Sequence, residues 1–173
     1  GKGEVQPFDL TGALRSRGFV MLYLSSVFCC VGVFIPFVHL VAYSVDQGLG
    51  EETGVFIIAC IGFASIIGRL FLTAISDRLH RRNLLAAMYL MQGVGLLLWY
   101  LAGAGGSASV LLLTIFAIVF GIGYGGYVSM IAPIIAEYFG TARIGSLLGI
   151  FMSSIAIGAF FGPWLMGLSL IHI

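Results

Sequence analysis

Five long apolar runs, separated by short polar breaks, make up most of this sequence. The runs cover residues 19–43, 55–75, 84–102, 110–135 and 144–168. Each is close to or longer than the ~20 residues that cross a hydrocarbon core of about 30 Å at ~1.5 Å per residue. None shows the strict alternation over about 10 residues that is typical of a membrane β-strand. The pattern predicts an all-α membrane protein with five transmembrane helices.

The composition supports the bilayer as the solvent of this chain. Of its 173 residues, 60% are hydrophobic and 9% are charged, whereas an ordinary soluble domain has about 25% charged residues. The formal net charge of +1 gives no sign of a nucleic-acid-binding surface. The 3 cysteines, two of them adjacent, lack the spacing of a disulfide framework. We expect them to be packing residues, and we expect no metal and no cofactor.

The positions of the basic residues predict the orientation of the helices. Seven of the 8 Lys and Arg residues lie before the first run or in alternate breaks. The positive-inside rule assigns this side to the cytoplasm. We therefore expect a multi-pass protein of the cell's inner, or plasma, membrane with a cytoplasmic N-terminus. The eighth basic residue, Arg69, lies within the second run.

Arg69 is the clearest candidate for a binding residue. An arginine keeps its charge, and in the hydrocarbon core it costs about 2.5–3.5 kcal/mol on insertion scales. It shares a helical stripe with Gly62, Ser65, Thr73 and Ser76, and such small and hydroxylated companions favour a water-filled interior and anion binding. The alternative is that the arginine reaches the cytoplasmic headgroups or forms a structural pair.

The first run has two faces when its residues are placed at ~100° intervals on a helix. One is a narrow stripe of small and polar residues that includes His39, and we expect it to face other helices or a cavity. The opposite face is aliphatic and includes Val31, Val38 and Val41. We expect this aliphatic face to contact lipid.

Two further side chains join Arg69 as candidate substrate-binding residues. His39 has a side chain suited to proton or substrate binding, although a histidine in this position also suits ordinary packing. Tyr124 lies in the fourth run near Tyr127 and Ser129. These hydroxyls either line a cavity or form interhelical hydrogen bonds. The same run contains a GxxxG pattern at residues 121–125, which predicts close helix packing rather than chemistry.

The break at residues 76–82 concentrates five ionisable residues in seven positions. One interpretation is an anchor that fixes topology. The other is a cytoplasmic latch that opens and closes against a partner surface. The candidate gating residues are Asp77, Arg78, Arg81 and Arg82.

At this break the sequence resembles a known family. Residues 68–70 and 75–82 resemble the loop motif of the major facilitator superfamily, in the copy between helices eight and nine. Residues 32–40 and 132–140 are similar to stretches of bacterial members related to the monocarboxylate transporters. The resemblance covers nearly the whole chain. It implies that the five spans match helices 7–11 of a twelve-helix major facilitator fold.

The resemblance also implies a division of the chain. Residues 1–18 would be the end of a central cytoplasmic loop, and residues 19–168 would be most of the C-terminal transmembrane half. Residues 169–173 depart from the family pattern, and we interpret them as a truncated, non-native tail. An N-terminal half and a twelfth helix would then be missing, so we expect the fragment alone to be inactive.

The implied function is secondary active transport of small organic anions, above all monocarboxylates, by alternating access. The resemblance implies that Arg69 binds the substrate carboxylate and that Asp77 and its neighbouring arginines close the cytoplasmic side. Ser65 stands where characterised animal members have an aspartate, which leaves proton symport open. The expected partners are a small carboxylate, with or without a coupled proton, the lipid bilayer and the missing N-terminal half, but no nucleic acid.

Two other function classes are alternatives to transport. A membrane receptor or partner protein that transports nothing would use the same scaffold. An intramembrane enzyme is disfavoured because the sequence contains neither GxSG nor HExxH. We therefore expect that the protein is not an enzyme.

Overall fold

The computed structural model describes residues 10–76, 80–103 and 109–171. Within these residues the chain forms helices and no strand. The helices are α1 (Leu10–Arg15), α2 (Arg17–Asp46), α3 (Glu51–Ser76), α4 (Arg81–Gly103), α5 (Val110–Phe139) and α6 (Ile144–Ile171). Five of them, α2 to α6, are long and apolar enough to cross a membrane. This confirms the predicted fold class.

The helices extend beyond the apolar runs because polar residues form their ends. Ser16 precedes α2, and its Oγ accepts a hydrogen bond from the Phe19 N–H at 3.2 Å. Ser109 does the same for α5 through the Leu112 N–H at 3.4 Å. Side-chain oxygens of this kind satisfy N–H groups that have no partner in the first helical turn. Hydrophobicity alone therefore locates each span but not its ends.

The five long helices pack as two groups. In the first, which we call the central trio, α5 lies against both α3 and α4. The second is the α2–α6 pair. Contacts between the groups are sparser. Because α5 has two close neighbours, half of its apolar stretch is buried, against 22–33% in the other four long helices.

Glycines allow backbones to touch within each group. In the central trio, a Cβ at Gly125 would meet the Ser65 carbonyl, and a Cβ at Gly121 would lie 2.6 Å from the Ile61 carbonyl oxygen. In the pair, a Cβ at Gly162 would meet the Val31 carbonyl. The predicted close packing of the GxxxG pattern is confirmed, since both of its glycines lie against the backbone of α3.

The two faces of α2 are only partly as predicted. The small and polar stripe faces other helices, as expected: His39, for example, bonds to α6. On the aliphatic face, Val38 is 57% exposed, which agrees with a lipid contact. Val31 and Val41 are only partly exposed, and their backbones lie against Gly162 and Gly54. The aliphatic face therefore lies closer to α6 and α3 than the sequence predicted.

Candidate functional site

Arg69 and Tyr124 each adjoin a glycine at which α3 and α5 pack most closely. Gly68, next to Arg69, leaves no room for a side chain, because a Cβ there would meet the carbonyl of Ile122. Gly125, next to Tyr124, lies equally close to the Ser65 backbone. These contacts fix the register of the two helices and therefore the positions of Arg69 and Tyr124 along them.

Arg69 lies on an exposed surface of the described bundle, and Tyr124 is half-buried beside it. Phenylalanine rings extend the site on its apolar side. The Phe37 ring of α2 lies 5.5 Å from the Tyr124 ring, measured between centroids, and 6.2 Å from the Phe34 ring. A phenol and an apolar wall therefore adjoin each other, and the guanidinium of Arg69 extends from the same part of the α3–α5 interface. This combination suits an anion with a small hydrocarbon body.

His39 is held on a different helix pair from the other two candidates. Its Nε2 lies 3.1 Å from the Pro163 carbonyl oxygen of α6. This is the ordinary packing role that the sequence left open. The structure therefore places two of the three candidate residues together, on the α3–α5 interface, and ties the third to the α2–α6 pair.

The position one helical turn before Arg69 supplies no charge. Ser65 is 6% exposed, and its hydroxyl donates to the Gly62 carbonyl at 2.7 Å within its own helix. A serine that bonds to its own backbone is a common arrangement in helices. Ser65 therefore offers Arg69 no counter-ion.

The candidate gating residues are described only in part. Asp77 and Arg78 lie outside the described residues. Arg81 begins α4 and reaches α5, where its Nη1 donates to the Pro133 carbonyl at 3.1 Å and forms an ion pair with a Glu137 carboxylate oxygen at 3.3 Å. Arg82 is exposed. Arg81 thus fastens α4 to α5 within this bundle.

A buried polar network links the helices and was only partly visible in the sequence. The hydroxyls of Ser26 and Tyr127 lie 2.6 Å apart, and Ser154 Oγ lies 2.8 Å from Ser26 Oγ. Of the two roles considered for Tyr127, the structure shows the interhelical hydrogen bond. Ser154 was missed because the two adjacent serines at 153 and 154 give no sign of their partners.

Gln92 was also missed, although a lone amide within an apolar run was a usable signal. It is 2% exposed, accepts a hydrogen bond from Cys29 Sγ at 3.1 Å and donates to the Gly123 carbonyl at 3.2 Å. Buried polar groups are almost always paired in this way. Over the described part of the chain, no cluster of three or more His, Cys, Asp or Glu residues could hold a metal ion.

Comparison with known proteins gives the family. The sequence profile described as Major Facilitator Superfamily matches residues 1–168. The chain is 27% identical to the MFS-type transporter opdF of Penicillium oxalicum over 161 residues, which are 91% of this chain and 37% of that protein. It is 28% identical to monocarboxylate transporter 12 of Xenopus laevis over 157 residues, which are 86% of this chain and 32% of that protein.

A third relative is the aspyridones efflux protein apdF of Emericella nidulans, which is 24% identical over 163 residues, 94% of this chain and 32% of that protein. No solved structure matches the chain. The chain spans about a third of the length of these curated relatives. The relatives are membrane transporters by name, which agrees with the expectation that the protein is not an enzyme. Because the profile covers nearly the whole chain, this protein belongs to the Major Facilitator Superfamily of membrane transporters.

Proposed function

We propose that this chain is most of the C-terminal half of a secondary transporter that carries small organic anions, above all monocarboxylates, across the plasma membrane by alternating access. The observation that carries the proposal is the position of Arg69, a permanent positive charge within a predicted span and next to the close contact of Gly68 with α5. One of the relatives is named a monocarboxylate transporter, which supports this choice of substrate.

The chemistry of the Arg69 and Tyr124 side chains suits a carboxylate. A guanidinium donates two parallel N–H bonds to one carboxylate group, and a phenol supplies a third donor. The Phe37 ring beside Tyr124 would contact the hydrocarbon part of the substrate. Ser65 carries no negative charge, so a co-transported proton would need a different carrier. His39 is the candidate.

The turn at residues 76–82 would control the access of substrate to the site from the cytoplasm rather than the binding of substrate. In this proposal Asp77, Arg78, Arg81 and Arg82 close the cytoplasmic side when the second half of the transporter approaches. The contacts of Arg81 with Pro133 and Glu137 would hold the turn rigidly against α5. A movement of α5 would therefore be transmitted to the turn.

Uptake by the full-length gene product tests the proposal. Cells that express wild type, Arg69→Ala or Arg69→Lys would be given radiolabelled L-lactate and pyruvate. We expect wild type to accumulate at least one acid, Arg69→Ala to lose about 100-fold or more of kcat/KM, equivalent to ~2.7 kcal/mol, and Arg69→Lys to recover only part of it.

Arg143→Ala is the matched control, because Arg143 is an exposed arginine outside the candidate site. Its uptake should equal that of wild type when the surface amounts are matched. Unchanged uptake in both Arg69 variants would remove Arg69 from the site. If wild type moves neither acid, the monocarboxylate assignment is wrong, and export of larger organic anions or a non-transporting receptor becomes the better hypothesis.

A further inference from the structure

The candidate site is divided between the two helix groups. Arg69 and Tyr124 belong to the central trio, whereas His39 is tied through Pro163 to the α2–α6 pair. Phe37 of α2 contacts Tyr124 across the boundary. The geometry of the site therefore depends on how the pair sits against the trio.

Each group is built to move as one piece. Within the trio, the glycines of α5 bring its backbone against that of α3, as at Gly125 and Ser65. Within the pair, Gly158 and Gly162 lie against the backbone at Cys30 and Val31. Backbones in direct contact leave no layer of side chains that could shear, so a displacement of one helix would carry its neighbour with it.

The inner part of the boundary between the groups combines apolar packing with side-chain hydrogen bonds. Among the described residues four such bonds cross it there, and all four start from one short stretch of α2. Ser25 bonds to Tyr89 at 3.4 Å, Ser26 to Tyr127 at 2.6 Å, Cys29 to Gln92 at 3.1 Å and Cys30 to Tyr127 at 3.7 Å. We call these four bonds the polar seam. Side-chain bonds of this type are individually weak in membranes and can be exchanged.

Tyr127 is the node of the seam. It is 1% exposed, and Ser26 and Ser154 are fully buried at 0%. Ser26 contacts both Tyr127 of α5 and Ser154 of α6, so one cluster joins both groups. The Tyr89 ring lies 5.6 Å from the Tyr127 ring. Removing the Tyr127 hydroxyl would therefore weaken the boundary without touching a contact that holds either group together.

The boundary has one close backbone contact and free volume at both ends. Near the outer end, a Cβ at Gly54 of α3 would lie 2.8 Å from the Val41 Cα of α2, and a cavity of about 330 Å³ lies between α2, α4 and α6. At the inner end, a cavity of about 430 Å³ lies between α2, α4 and α5, with Ser25 of the seam in its lining. A movement of the pair against α4 therefore has room at both ends, with the Gly54 contact as its pivot.

We propose that the α2–α6 pair shifts as a unit against the central trio along the polar seam during the transport cycle, and that Tyr127 is the positioning residue that holds the arrangement described here. The shift changes the position of His39 relative to Arg69. It goes beyond the proposed function, because it is a rearrangement inside one half of the transporter rather than a movement of one half against the other.

Distances between spin labels at the inner helix ends test this in the full-length protein. Met21 of α2, Asn83 of α4, Tyr138 of α5 and Ser146 of α6 are exposed and would each be replaced by a labelled cysteine. The pair 21–83 crosses the boundary, whereas 21–146 lies within the α2–α6 pair and 83–138 within the trio. The native cysteines would be removed as Cys29→Ser, Cys30→Ser and Cys60→Ala, so that positions 29 and 30 keep a hydrogen-bonding group.

Two tyrosine variants make a matched comparison. Tyr127→Phe removes a Tyr–Ser bond that crosses the boundary, at 2.6 Å. Tyr23→Phe removes a Tyr–Ser bond of 2.7 Å to Ser153, within the α2–α6 pair. We expect Tyr127→Phe to shift the 21–83 distance by about 2 Å or more, the scale of helix shifts at interfaces, or to add a second population at that distance. Tyr23→Phe should leave the 21–83 distance unchanged.

The two distances within the groups should stay constant in both variants, and they also report whether the protein is folded. The proposal is overturned if all three distances are unchanged by Tyr127→Phe, or if the distances within the groups change as much as the one that crosses the boundary. The measurement needs no transported substrate. If the protein takes up neither lactate nor pyruvate, the proposed substrate is wrong, but the shift of the α2–α6 pair is still tested by the distances.

Discussion

At the residue scale, the polar side chains of this bundle are explained by what they bond to inside a membrane. Gln92 satisfies both ends of its amide, through Cys29 and the Gly123 carbonyl, and the Ser26 hydroxyl lies between those of Tyr127 and Ser154. Neither water nor lipid tails would supply such partners in the bilayer core. These residues hold the helices in one arrangement, whereas Arg69 lies at an exposed surface of the bundle.

The first prediction concerns Gln92. Gln92→Ala removes two interhelical hydrogen bonds and leaves the Gly123 carbonyl without this donor, so we expect a loss of about 1–2 kcal/mol in the free energy of unfolding. Asn83→Ala on the same helix is the control, because Asn83 is exposed and should change stability by no more than ~0.5 kcal/mol. Denaturant titration in detergent micelles would measure both. Equal losses of unfolding free energy in the two variants would mean that the hydrogen bonds of Gln92 do not stabilise the protein.

Some polar residues could be singled out from the sequence, whereas the partners of others could not, and the reason is physical. Arg69 was identifiable because its insertion cost is a property of one residue. The partner of a hydroxyl is a property of two helices and their rotation, so Tyr127 remained ambiguous and Ser154 went unnoticed. His39 was identified as polar and inward-facing, but its bond to Pro163 depends on a contact between α2 and α6 that no periodicity shows.

At the element scale, glycines decide which helices touch. Each apolar run predicted one helix correctly, because a span must satisfy its own backbone hydrogen bonds. The pairing of α3 with α5 and of α2 with α6 follows instead from the glycines that remove the intervening side chains. The pairing of α2 with α6 also explains why the Val31 backbone lies against Gly162 although Val31 occupies an aliphatic face.

A second prediction follows for Gly125. Gly125→Ala places a Cβ against the Ser65 carbonyl, so α3 and α5 must separate and we expect a cost of about 1–3 kcal/mol, as for other overpacked interiors. Gly149→Ala is the control, since no atom lies within 4 Å of a Cβ there. Alanine is a better helix former than glycine, so Gly149→Ala should be neutral or stabilising.

The thermal unfolding midpoints of wild type and the two glycine variants in detergent would measure these changes in stability. Lactate uptake should fall with Gly125→Ala as well, because the same contact aligns Arg69 with Tyr124. A Gly125→Ala protein as stable and active as wild type would contradict the α3–α5 packing described here.

At the scale of the whole molecule, charge placement predicts orientation and helix packing predicts how the site is assembled. The positive-inside rule predicts a cytoplasmic N-terminus. The breaks that contain arginine, such as residues 141–143, would then be cytoplasmic, and the turn between α2 and α3 would be outside. This prediction needs only the distribution of basic residues between the breaks, whereas the division into trio and pair needed the three-dimensional contacts.

A third prediction tests this orientation. Single cysteines would replace Asp46, beside the turn between α2 and α3, or Thr141, between α5 and α6, both of which are exposed. A membrane-impermeant maleimide added to intact cells should label the Asp46→Cys protein and leave Thr141→Cys unlabelled until the cells are opened. Labelling of Thr141→Cys alone in intact cells would reverse the topology.

The central claim is that Arg69 binds the carboxylate of a transported substrate. Counterflow of radiolabelled pyruvate, in proteoliposomes that contain the purified full-length protein and are loaded with unlabelled pyruvate, tests it most directly, because exchange requires binding and alternation but no coupling gradient. We predict rapid counterflow for wild type and Arg143→Ala, and a loss of about 100-fold or more for Arg69→Ala. Counterflow at the wild-type rate in Arg69→Ala would contradict the account.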